Sequence, residues 1–159
     1  MKALLAFAVL SSGCLSIQAE IEETCISRRD VEIEGVSVTS ASHGFLVEDM
    51  SDVHRLLDYD AELEFVRAEI RPTSGVTSLA FVDSAMVSVE GVPAYACDGN
   101  CPSNDGVEML STAKQSATQY LSADTLAVQL TVAGQLPSTA WTVDIDVCVR
   151  GSASYTLSP

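Results

Sequence analysis

Positive charge is scarce in this chain: 8 Lys and Arg stand against 22 Asp and Glu, for a formal net charge of −14 at pH 7. Only Arg28 and Arg29 stand together. Phosphate backbones are held by clustered Lys and Arg, so a nucleic-acid partner is excluded. Adsorption of the domain surface to anionic lipid is disfavoured on the same ground. Histidine is nearly absent, with His43 and His54 alone. There is no G-x-S-x-G, H-E-x-x-H, P-loop or G-x-G-x-x-G, which removes the usual signatures of hydrolase, zinc-protease and nucleotide chemistry. Long apolar runs are missing as well: Ala3 to Leu10 is an unbroken run of eight, where a spanning helix needs about 20. Aromatic residues make up 6%, with Trp141 the only tryptophan.

What the chain does contain begins with Lys2, the apolar run and the small residues Ser11, Ser12 and Gly13, in the order of a secretory signal. Ser12, Gly13 and Cys14 resemble the lipobox of bacterial lipoproteins, with Leu10 one place earlier than the family's leucine and Ser11 in its stead. The resemblance covers residues 1–14. It implies a signal peptide at 1–13, acylation of Cys14 as the mature N-terminus and a membrane partner through that lipid anchor. Because Leu15 and not aspartate follows Cys14, it also implies the outer membrane. Residues 14–20 would then be a short tether and 21–159 a single domain. The alternative is cleavage after Ala19, at "SIQA", which would release a secreted protein.

Setting Cys14 aside leaves Cys25, Cys97, Cys101 and Cys148, an even set suited to two disulfides in an oxidising compartment. Four cysteines allow three connectivities. The preferred one joins Cys97 to Cys101 across "CDGNC" and Cys25 to Cys148 near the two ends of the mature chain. A four-cysteine zinc site competes on the spacing of Cys97 and Cys101, but Cys25 and Cys148 are isolated and form no second close pair.

Period-two alternation dominates the rest. In "WTVDIDVCVRG", Trp141, Val143, Ile145, Val147 and Val149 share one face, and Thr142, Asp144, Asp146, Cys148 and Arg150 the other. A disulfide from Cys148 should therefore lie outside the core or at a sheet edge. "TLAVQLTVAG" repeats the pattern. Further strands are expected at 21–27, 31–39, 44–48, 63–71, 76–83 and 85–89, with a last one in "SASYTL". The apolar phase of "ELEFVRAEIRP" switches near Phe65, the mark of a bulge. Two helical stretches are expected: "SDVHRLLDY", with Ser51 as N-cap, and "NDGVEMLSTAKQSATQYLSAD", in which Asp105 and Glu108 form a capping box and the apolar face runs to Leu121. The fold class is all-β: an antiparallel β-sandwich of about seven or eight strands with one or two short helices.

Two sets of residues carry metal-ligating chemistry. His54 and Asp58 stand at helical i, i+4 spacing with Asp52 near, but the solvated reading of an acidic stretch is favoured, as it is for the acids generally. Thirteen of the 22 acidic residues lie between Glu20 and Glu64. Asp98, Asn100, Asn104 and Asp105 offer the oxygen ligands calcium accepts. Asp, Asn, Gly and Pro are also the usual turn formers, and a disulfide-pinned loop is preferred over a calcium site. No other cofactor is expected. The composition and motifs point to a non-catalytic, extracytoplasmic envelope lipoprotein domain, a binding or structural module of unknown ligand for which an envelope protein or glycan is the candidate partner. The alternative is a secreted calcium- or carbohydrate-binding module, and third an enzyme. Carbohydrate platforms expose aromatics, whereas Trp141 reads as core.

Overall fold

The computed structural model describes residues 15–35, 39–57, 61–99, 101, 105–112 and 116–157, with the backbone alone at 15–18 and 154–157. Alternating apolar residues form eight strands: β1 (Leu15–Ile33), β2 (Ser40–Val47), β3 (Ala61–Ser74), β4 (Val82–Val89), β5 (Val92–Asp98), β6 (Val107–Ser111), β7 (Leu126–Gly134) and β8 (Trp141–Leu157). Two short helices, α1 (Ser51–Leu57) and α2 (Thr118–Leu121), complete the fold. The strands hydrogen-bond in the order β1-β8-β3-β6-β5-β4-β7-β2, every neighbouring pair antiparallel.

This single sheet curls on itself and buries one face. β1, β3, β6 and β8 make one layer and β2, β4, β5 and β7 the other, so the chain passes repeatedly between layers. That strand order is a jelly roll, a sandwich of two interleaved Greek keys. The core follows from the alternation: Trp141, Val143, Ile145, Val147 and Val149 of β8 are all buried. Phe65 meets Tyr95 of the opposite layer edge-on at 5.5 Å, and Phe81 meets Trp141 edge-on at 5.3 Å. A fully buried side chain such as Phe65 or Ile145 contributes roughly 1.5–3 kcal/mol. The expected bulge is present, as a register shift in β3 between Phe65 and Arg67. It lets Phe65 and Ala68 both face inward.

Several sequence expectations are corrected. The tether expected at 14–20 is structured: from Leu15 to Glu20 the chain pairs with Leu157 to Ser152 of β8. The strands expected at 21–27 and 31–39 belong to β1, which ends at Ile33. The strand expected at 76–83 is loop until β4 begins at Val82. The helix expected from Asp105 to Leu121 is β6 followed by the single turn of α2. Its buried Val107 and Met109 alternate with exposed Glu108 and Leu110, a period of two within a sheet. His43 lies within β2. Two residues before α1, the Asp49 carboxylate accepts hydrogen bonds from the Ser51 hydroxyl at 2.8 Å and from its backbone N–H at 3.3 Å. These bonds hold the Asp49 pKa below its usual value.

The hairpin joining β4 to β5 was not foreseen. Glu90 and Gly91 both have positive φ, 50° and 78°, as a two-residue type I′ turn requires. Glutamate is costly there. It is held by a tertiary contact, its carboxylate accepting from the Ala127 N–H at 2.7 Å while its own N–H donates to the Ala127 carbonyl at 2.9 Å.

Candidate functional site

The two layers present different outer faces. Charge is concentrated on one: β1 carries seven charged residues, β3 five, β8 three and β6 one. Their alternation with apolar residues places many of these groups outward, where they connect. Asp144 pairs with Arg29 at 3.0 Å, Arg29 with Asp146 at 3.4 Å, and Asp146 with Arg71 at 3.0 Å. Arg71 meets Glu69 at 2.6 Å, and Glu69 shares Arg67 at 3.2 Å with Glu23 at 2.8 Å and Glu108 at 3.4 Å. The result is a continuous ladder of alternating sign across β1, β8, β3 and β6. Hydrogen bonding to Glu23 and Glu69, respectively, raises the Arg67 and Arg71 pKa values above that of an ordinary guanidinium. Further along, Arg150 donates to Glu64 at 2.8 Å.

The Cys25–Cys148 disulfide sits within this face, joining residues directly opposite each other on β1 and β8. The bridge is outside the core, yet Cys148 itself is fully buried. Its register neighbours are Cys25 on one side and Arg67 on the other. Glu23, Cys25 and Cys148 are close enough to suggest a metal site, but both sulfurs are committed to the disulfide. Cys97 and Cys101 form the second bridge.

The other outer face is nearly free of charge. β2 and β7 have no charged residue, and β4 and β5 have one each, Asp83 and Asp98, near strand ends. A row of register partners crosses it as Ala96, Met86, Thr131 and Ser42, and continues past Ala96 to Leu110 of β6 in the charged layer. The Ser42 and Thr131 hydroxyls bond each other at 3.0 Å. Leu110 and Leu46 are the large apolar side chains left exposed among the described residues, at 61% and 51%.

A cleft of about 790 Å³ lies at one end of the charged layer, lined by residues including Glu20, Glu62, Glu64, Ser116, Thr118 and Arg150. It brings together carboxylates, hydroxyls and an arginine already paired to Glu64, with no histidine in its lining.

The predicted site residues are placed as follows. Cys14, Asp58, Asn100 and Asn104 lie outside the described residues. Asp98 ends β5, and Asp105 is exposed just before β6. The His54 ring bonds the Ala123 carbonyl at 2.9 Å, and Asp52 pairs with Arg55 at 3.8 Å, so both have protein partners. Trp141 is in the core, not on a ligand platform. The difference between the outer faces went unread, although its signal was present in the uncharged "SASHGFLV" and "LAVQLTVAG".

No family model matches the chain, and no curated protein matches it in sequence. Among solved structures it is similar to turnip yellow mosaic virus, at 13% identity and a TM-score of 0.34, over 99% of this chain and 89% of that one. It is also similar to the decameric BFDV capsid protein, at 11% identity and a TM-score of 0.39, over 87% of this chain and 99% of the other. Likeness at this level carries no functional argument.

Proposed function

We propose that this chain is a non-catalytic binding or structural module exported to the cell envelope, anchored through a lipid on Cys14 and turning its uncharged layer toward an envelope protein. The unequal distribution of charge is the observation that carries this reading. In an acidic chain of net charge −14, Arg29, Arg67 and Arg71 of one layer are neutralised within the ladder, while the strands of the other layer carry only Asp83 and Asp98. Interface cores are depleted in charged residues, and the bare layer has that character. Burial of Trp141 favours a protein partner over a glycan.

The start of β1 supports anchoring over release. Cleavage after Ala19 would remove Leu15 to Ala19, which pair with Leu157 to Ala153 of β8. Cleavage before Cys14 keeps that pairing and holds the domain close against the bilayer. Leu15 in place of aspartate supports the outer membrane.

Intact mass of the protein recovered from membranes tests the reading. The expected result is a diacyl or triacyl chain beginning at Cys14, with Cys14→Ser abolishing acylation. A chain beginning at Glu20 and found in the medium would overturn the anchor.

A further inference from the structure

The two edges of the sheet are protected differently. β1 is guarded as exposed edges usually are, with seven charged residues and register shifts between Ile21 and Thr24 and between Arg28 and Val31. β2, at the other edge, has none of these devices. It is "SASHGFLV", with no charge and no proline, pairs with β7 in unbroken register, and among the described residues has β7 as its only strand partner. Such an edge is a template for strand addition.

We propose that β2 pairs antiparallel with β2 of a second copy of this chain, about a two-fold axis at Gly44. Charge selects the occupant. Two copies of net charge −14 repel wherever their acidic surfaces meet, and β2 with its adjoining outer face is where like can meet like without charge. The antiparallel sense also separates the nearest acids. Ala41 to Val47 overlap in this register, His43 stands opposite the partner's Phe45, and Glu48 stands opposite the partner's Ser40. A parallel pairing would set Glu48 beside the partner's Glu48.

Shape agrees with this register. Gly44 has room above it, since among the described residues a Cβ there would meet only the Val128 carbonyl oxygen, at 4.0 Å. A shallow depression of about 320 Å³ lies at the same place, lined by Gly44, Leu46, Gly91, Ala127 and Gln129 among others. Leu46, half exposed, lines the depression, stands opposite the partner's Ser42 and is diagonal to the partner's Gly44. The contact is a strand edge and two leucines, less than the roughly 800 Å² per partner of a standard interface, so association is weak and concentration-dependent.

Sedimentation of the exported, oxidised protein over a range of concentrations tests the proposal, separately from membrane retention through Cys14. The wild type should shift from monomer to dimer as concentration rises. Gly44→Lys, which puts two ammonium groups at the axis in a position with space for a side chain, should weaken the dimer at least ~10-fold with the melting temperature little changed. Glu32→Gln, an equal change of net charge on β1, should leave the dimer intact. Gly44→Cys should give a reducible covalent dimer, and Leu110→Cys on β6 should not. A wild type that is monomeric throughout, a dimer indifferent to Gly44→Lys, or Gly44→Cys failing to cross-link would each overturn the proposal.

Discussion

The Tyr95 hydroxyl donates a hydrogen bond to the Cys148 backbone carbonyl at 3.0 Å, fully buried, joining β5 of one layer to β8 of the other. The same residue whose sulfur is bridged to β1 on the outer face thus receives the phenol from within the core. Burial, with a further contribution from the Glu23 charge, raises the Tyr95 pKa far above its ordinary value.

Tyr95→Phe should therefore have two effects. At neutral pH it removes one buried hydrogen bond, at a cost of about 0.5–1.5 kcal/mol. In alkali the sign follows from the raised pKa. The folded protein keeps the proton while the unfolded chain releases it near pH 10. The contribution of the neutral phenol is thus complete below pH 10 and is lost as pH climbs beyond it. Denaturant titrations from pH 8 to 12 should show a shallower alkaline loss of stability in the variant.

The two disulfides should differ in weight. Cys25–Cys148 spans 123 residues and Cys97–Cys101 spans 4. In the chain-entropy account the first contributes about 5 kcal/mol and the second about 2 kcal/mol. Paired Cys→Ala variants compared by chemical denaturation should reproduce that order, with the Cys25/Cys148 variant losing the larger share.

Gly151 lies where β8 and β3 approach closely. A Cβ there would stand 2.0 Å from the Glu62 carbonyl oxygen and 2.9 Å from the Glu62 carbonyl carbon. Gly151→Ala must push the two strands apart and should cost about 1–3 kcal/mol, read as a lowered melting temperature. Gly44→Ala, in open space, should cost less than Gly151→Ala.

Arg67 is the junction of the charged ladder, touching Glu23, Glu69 and Glu108. Arg67→Met keeps its aliphatic cover and leaves the three carboxylates facing one another. A loss of about 1 kcal/mol is expected at low ionic strength, shrinking as salt screens the repulsion. Equal losses at low and high salt would show that packing, and not charge, is what Arg67 supplies.

Strand content was legible wherever one face of a strand meets the core and the other meets water, as in Trp141 to Arg150 and Leu126 to Gly134. The phase switch at Phe65 was legible for the same reason. The long helix expected after Asp105 failed because Val107 and Leu110 also fit a helical spacing. Only the sheet position between β3 and β5 assigns Met109 inward and Leu110 outward. β5 was missed because Glu90 is a poor residue for a positive-φ turn, and its stabilising contact to Ala127 lies 37 positions away.

By itself, the sequence determined the all-β class, the burial of Trp141 and the parity of the four domain cysteines. These follow from side-chain period, apolar volume and counting, which are local properties. Strand order, the assembly of Arg29, Arg71 and Arg67 into one ladder and the uncharged face beside β2 were decided by the tertiary structure. Alternate crossing between layers sorts β1, β3, β6 and β8 from β2, β4, β5 and β7. Charge spread through the chain becomes a charged side and a bare one only when distant strands are laid next to each other.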